Sequence, residues 1–236
     1  MKRVLIISLV LGAVLLFALP VSTQHPEGLT GTLVVLNKSG HDASFIDLAS
    51  GEIVATLPTG RGPHERVITS DGRWAVGTDY SGGDSLTVFD VAGRQVVRTI
   101  DLAEYPRPHG ILLMPGEQEV IVTSEASQNL VIVNFHEGEI VRVIPTGEPG
   151  SHMVALSGDG RWAFTSNGGS DTVSVIDLAN DGQRRTIGVP DRPEAITTNR
   201  AGTEIWVGSN DNEVVTVLSR ESGEVLAQWS GFEWSY

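Results

Sequence analysis

Between residues 31 and 230 the apolar positions fall into short runs, and none keeps the three-to-four spacing of a helix face. The runs are rich in Val, Ile and Thr and are bounded by Gly, Asp, Asn or Pro. β-Branched side chains suit a pleated surface and the bounding residues supply turns, so the pattern predicts many short strands. One unit, from His152, reads as four of them: Met153 to Ser157, Trp162 to Ser166, Thr172 to Asp177 and Arg184 to Gly188. Asp159-Gly160 and Gly168-Gly169 are the intervening turns, because glycine enters the positive-φ region without steric cost.

The unit repeats. "PHERVITSDGRW" at 63 is echoed by "SHMVALSGDGRW" at 151. The runs "ASFIDLASGEIV" at 43, "LTVFDVAGRQVV" at 86, "LVIVNFHEGEIV" at 130, "VSVIDLANDGQR" at 173 and "VTVLSRESGEVL" at 215 align throughout. Asp47, Asp90, Asn134, Asp177 and Ser219 are equivalent, at spacings of 43, 44, 43 and 42 residues. Four antiparallel strands in each such unit make a propeller blade, so the chain reads as all-β, a β-propeller of four-stranded antiparallel blades.

The stretch "LSGDGRWAFTSNGGSDTVSVIDLANDG" at 156 to 182 resembles the YVTN-type propeller repeat, and with it the cytochrome d1-like propellers. The match recurs as "ITSDGRWAVGTDYSGGDSLTVFD" and "TNRAGTEIWVGSNDNEVVTVLS" and covers essentially the whole chain after residue 23. The resemblance implies the propeller fold. It leaves function open among scaffolds, binding proteins and cofactor or metal domains.

The first unit begins at "GTLVVLN", which aligns with the second strand of later units. The expected blades run 31–60, 61–104, 105–148, 149–190 and 191–231: one partial, four complete, with no closing inner strand at the C-terminal end. The expectation is a fragment of a seven-bladed ring, with a poorly closed five-bladed ring as its competitor. Unpaired blade edges favour the first.

Residues 1–23 stand apart. Lys2 and Arg3 precede an uncharged run from Val4 to Leu19 that is shorter than a spanning helix, and Pro20 and the small residues Val21-Ser22-Thr23 follow. This reads as a signal peptide for export to periplasm or medium, and residues 24–236 form the propeller domain. An uncleaved anchor is the alternative. The chain has no cysteine, so disulfides and thiolate metal sites are excluded. Without Lys2 and Arg3, 14 basic residues face 29 acidic ones, a net charge of −15. That balance argues against general nucleic-acid binding, and no membrane contact is expected beyond the export signal.

Candidate chemistry lies at the heads of the inner strands. His64, His109 and His152 are equivalent, and Glu194 takes the fourth place. Arg61, Arg107 and Arg192 precede three of them in "GRGPHE", "PRPHG" and "DRPEA". Inner strands line a propeller's channel, so these seven residues are the candidate ligand site, suited to a small anion. The competing role for each histidine is to fix blade packing, and for each arginine to pair with Asp42, Asp84, Asp171 or Asp211. A metal, if any, would sit on His64, His109 and His152. The cofactor is unknown.

Other repeated residues read as architecture. Asp47, Asp90 and Asp177 suit turns, and Trp74, Trp162 and Trp206 suit blade packing. The function expected is an exported, non-enzymatic scaffold that binds a protein or small-molecule ligand at its channel mouth. Its alternatives are a metal- or cofactor-dependent oxidoreductase, a lactonase-like enzyme, or a structural module of a cell-surface assembly.

Overall fold

The computed structural model describes residues 28–232, and every regular element in that span is a strand. The export signal read over residues 1–23 lies outside the described residues, as do the last four residues of the chain.

The first sheet is three-stranded, with β1 (Thr32–Asn37), β2 (Asp42–Asp47) and β3 (Ile53–Pro58) in order. Four four-stranded sheets follow. The second comprises β4 (Pro63–Ile68), β5 (Trp74–Asp79), β6 (Ser85–Asp90) and β7 (Gln95–Asp101). The third comprises β8 (Pro108–Leu113), β9 (Glu119–Ser124), β10 (Asn129–Asn134) and β11 (Glu139–Pro145). The fourth comprises β12 (Ser151–Leu156), β13 (Trp162–Asn167), β14 (Thr172–Asp177) and β15 (Gln183–Gly188). The fifth comprises β16 (Pro193–Thr198), β17 (Glu204–Ser209), β18 (Val214–Ser219) and β19 (Val225–Ser230). Every strand pairs antiparallel with its sequence neighbour, and inner strands β4, β8, β12 and β16 lie side by side in succession. This is the radial blade arrangement of a propeller.

The core consists of four layers, one between each pair of successive sheets. Period-two alternation along β9 builds two of them: Val120 and Val122 pack toward Val76, Leu86 and Val88 of the second sheet, while Ile121 packs toward Ala163 and Ile176 of the fourth. Phe164, Val173 and Val175 meet Ile205, Val207 and Leu218 of the fifth. On the fifth sheet the matching face carries Trp206, Val215 and Trp229, and the two indoles stack at 5.7 Å. Among the described residues no sheet covers that face, and Trp206 and Trp229 stay exposed.

The repeated "DGRW" is a turn and a clamp. Asp71 and Asp159 accept hydrogen bonds from the hydroxyls of Thr69 and Ser157 and from the N–H of Arg73 and Arg161. The Arg161 guanidinium then stacks on Trp162, whose ring is covered again by Arg220 of the next sheet at 4.2 Å. Trp74 is met edge-on by His136 of the next sheet, at 5.4 Å between ring centroids. Asp47, Asp90 and Asp177 accept backbone N–H groups from Ser50, Gly93 and Ala179, as their turn reading requires. Trp206 departs from its sequence reading: it stands in the place of Phe164, not of Trp162, because "TEIW" brings its indole two residues further into the strand.

Candidate functional site

Each inner strand opens on a kink that aims one side chain inward. Pairing with the second strand is regular except at its start, where the register shifts between Pro63 and Arg66, Pro108 and Ile111, Ser151 and Val154, and Pro193 and Ile196. His64, His109, His152 and Glu194 fall inside these four irregularities. A bulge frees a residue from the ladder and re-aims its side chain, and here it turns all four toward the axis.

The freed backbone groups are caught by hydroxyls of the second strand. Glu65, Gly110 and Met153, each one residue past a histidine, donate their N–H to Thr78, Thr123 and Ser166. Thr123 then donates to the carbonyl of His152 at 2.7 Å, and Ser166 to that of Glu194 at 2.6 Å. One hydroxyl thus fixes its own blade's kink and the next blade's site residue. Gly110 is required at this crossing, since a Cβ there would stand 2.9 Å from the Met153 Cα.

The result is a column of imidazoles. The ring centroids of His64 and His109 lie 4.6 Å apart and those of His109 and His152 3.7 Å apart, with the ring planes tilted by 45° and 34°. Tyr80 meets His64 and His109 edge-on. Among the described residues no three His, Cys, Asp or Glu side chains form a metal-ion group.

Burial governs the charge of His109 and His152. His109 is 2% exposed, and desolvation, with the neighbouring imidazoles His152 and His64, lowers its pKa to about 2. Burial also lowers the pKa of His152, against the opposing pull of Glu194. The buried Nδ1 atoms of His109 and His152 make no hydrogen bond. Glu194 Oε1 stands 3.4 Å from the latter, near enough for attraction but outside hydrogen-bond geometry.

A cavity of about 720 Å³ lies along the column. Its polar lining comes from His64, His109, His152, Glu65, Glu194 and Lys38, and its apolar wall from Met153, Ile196, Trp206 and Val215. A second cavity of about 380 Å³, lined by Glu125, Arg192 and Gly168, shares Tyr80, His152 and Glu194 with the first. His152 and Glu194 therefore stand between an apolar chamber and a polar one.

Two of the three arginines are occupied. Arg107 donates to the Tyr80 hydroxyl and to Glu125 Oε2, and Tyr80 in turn donates to Glu125 at 2.7 Å. Arg192 lies 3.5 Å from Asp211 at the rim of the smaller cavity. Arg61 is exposed and rests against the Gly82 turn, away from the linings of both cavities. The histidines and Glu194 are thus brought together, while Arg107 and Arg192 are paired with carboxylates and Arg61 lies apart from both cavities.

Sequence reasoning passed over a second set of equivalent positions. Lys38, Tyr80, Glu125, Gly168 and Asn210 each follow the last residue of a second strand, or of β1 in the partial blade, and the first three and the last crowd the mouth. Lys38 Nζ is 5.6 Å from the Tyr80 ring centroid, and Asn210 donates to Glu194 Oε2 at 3.2 Å. The signal was present in the repeat alignment, but as a slot that holds a different residue in every blade.

A family model described as the Cytochrome D1 heme domain matches residues 33–230. No curated protein matches the chain. Similar solved structures include a functionally unknown protein from Desulfotomaculum acetoxidans DSM 771, 16% identical, with 84% of this chain and 66% of that one aligned at a TM-score of 0.69. Virginiamycin B lyase from Staphylococcus aureus is 17% identical, with 85% and 67% covered at 0.70. The dihydro-heme d1 dehydrogenase NirN, in complex with DHE, is 16% identical, with 89% and 47% covered at 0.67. The chain spans about two thirds of the first two proteins and under half of the third, and identities this low speak for the fold alone. With the family model matched from the first strand to the last, the chain belongs to the Cytochrome D1 heme domain family.

Proposed function

We propose that the protein is an exported propeller that binds a haem-type tetrapyrrole at its channel mouth. The observation that carries this reading is the run of three close imidazoles, with the buried His109 held uncharged at its centre, opening on a cavity of about 720 Å³. Ligand pockets fall in the range of roughly 300–1,000 Å³ and are mostly apolar with a few aimed polar groups, a description this chamber meets. A neutral imidazole offers the lone pair by which histidine holds haem iron, and the low pKa of His109 keeps that form at every physiological pH.

The residues present fit such a group. The imidazoles of His152 and His109 line the chamber, Trp206, Met153 and Ile196 offer an apolar wall, and Lys38 offers a cation for acidic substituents. When bound, the group would supply redox chemistry at its iron. The chain's own part is to exclude water with the apolar wall and to hold the backbone at His152 and Glu194 in place through Thr123 and Ser166.

A second reading, a redox enzyme and not a carrier, is favoured by the His152–Glu194 pair between the two chambers, since an imidazole backed by a carboxylate can move protons. Both readings need the tetrapyrrole. Titration of the purified protein with hemin is expected to give a saturable shift of the Soret band that His152→Ala weakens at least tenfold. Absence of the shift, or a shift indifferent to His152 and His109, overturns the reading. Export is checked by cell fractionation and by the mass of the mature N-terminus, with cleavage expected after Thr23.

A further inference from the structure

Three of the four complete blades place histidine at the head of the inner strand, and the fourth places Glu194 there. The substitution changes the role of the position. A fourth imidazole would extend the column; a carboxylate ends it with a negative charge beside the last ring.

Three features separate Glu194 from the other acids at the mouth. Its Oε1 is 3.4 Å from His152 Nδ1, an atom otherwise buried and without a partner. Its Oε2 accepts a hydrogen bond from Asn210 Nδ2 at 3.2 Å, so the carboxylate is held by a second side chain. It lines both chambers, as does His152. Glu65 also reaches a histidine, at 3.2 Å from His64 Nδ1, but it is the next residue in the chain, accepts no other side-chain hydrogen bond, and faces the larger chamber alone. Glu125 is engaged by Tyr80 and Arg107.

We infer that Glu194 is a positioning residue that acts through His152. It draws the ring proton to Nδ1, so that Nε2 carries the lone pair offered to a bound electrophilic centre. A histidine that ligates a metal commonly gives its other N–H to a carboxylate, which fixes the tautomer and raises the basicity of the ligating nitrogen. Here His109 crowds one side of the His152 ring, 3.7 Å away centroid to centroid, while His152 lines both chambers, and the tautomer decides which nitrogen presents a lone pair to a ligand there. Asn210 sets the angle of the carboxylate. The inference rests on the tetrapyrrole reading above and names the residue that tunes it.

The test uses the full chain loaded with hemin and reads both affinity and midpoint potential. Glu194→Gln keeps the shape and removes the charge, and it is expected to weaken hemin about tenfold. A tenfold greater loss for the ferric than for the ferrous form raises the potential by ~59 mV for this one-electron couple. Asn210→Ala should move both readouts the same way by less, and it serves as the second variant should Glu194→Gln fail to fold. His152→Ala should make the potential insensitive to a further Glu194→Gln change, which a structural role of Glu194 would not produce. If hemin binds through His152 while both variants leave affinity and potential unchanged, this inference falls and the tetrapyrrole reading stands. If the unmodified chain does not bind hemin, both fall.

Discussion

Asn167 and His109 are two buried polar side chains from the same repeat, and they meet opposite fates. Asn167, at the end of β13, spends all its capacity: Oδ1 accepts from Ser151 and Thr165, and Nδ2 donates to Thr172 and Ser174. Ser174 continues to the carbonyl of Thr146 in the preceding sheet. His109, as deeply buried, has an Nδ1 with no partner and a charge that burial has removed. Burying an unpaired polar group costs free energy, so a fold that repeats one at the axis tolerates it for something outside the fold's own bonding. The satisfied residue is architecture, and the unsatisfied ones mark the site.

The comparison breaks most easily on its architectural side. Asn167→Ala leaves four hydroxyls around an empty amide site, and the expected loss is about 3 kcal/mol. For a domain of this size that lowers the melting temperature by roughly 6–12 °C. Thermal unfolding followed by the β-sheet circular dichroism signal reads it directly. A loss below about 1 kcal/mol would mean that the network is slack and that satisfaction does not separate the two classes.

On the site side the expected sign is reversed and depends on pH. His109 in the fold titrates at about 2 against 6.5 unfolded, so its contribution to stability is complete above 6.5 and is lost as pH falls toward 2. His109→Phe keeps a flat ring in the stack and removes that loss. The variant should therefore gain on the parent as pH drops, by roughly 2 kcal/mol at pH 5. Melting curves at pH 7, 6 and 5 test it; a gap that stays constant across them would mean that the imidazole takes up protons in the folded protein as freely as in the unfolded one.

These cases show why the fold was legible and the site only half so. Strand runs, DG turns and the Asp turn positions follow from local chemistry that recurs every 42 to 44 residues, so five aligned segments carry the architecture. The first strand of the fourth sheet was still read two residues short, because Ser151 is held in the sheet by its pairing with Asn167, a partner 16 residues away. Repetition likewise placed His64, His109, His152 and Glu194 at equivalent points. It could not reveal that a bulge would crowd the imidazoles against one another, nor that Arg107 would turn to Tyr80 and Glu125. Tyr80, Lys38 and Asn210 escaped because their shared slot holds a different residue in every blade, and a search for recurrence passes over what varies.

The smallest expected effect lies where the two classes meet. Asp79 occupies the lock position of Asn167 in the second sheet and accepts from Ser85 and Thr87 through Oδ2, but its Oδ1 is an orphan. The cause is readable in the register: Pro63 and Gly77 stand where Ser151 and Thr165 supply hydroxyls in the fourth sheet. Burial raises the pKa of this carboxyl, opposed by the two hydroxyl bonds. A raised folded value means that stability is complete below the unfolded pKa and declines as pH rises through the folded one. Asp79→Asn restores the amide that Asn37 and Asn167 use toward the same pair of partners, and it carries no charge to desolvate. The variant should match the parent near pH 3.5 and exceed it at pH 7 by about 1 kcal/mol, a rise of roughly 2–4 °C in melting temperature. If it melts at or below the parent at pH 7, the ionised Asp79 is held by something the lock in the fourth sheet does not have, and this orphan belongs with the histidines as a site residue.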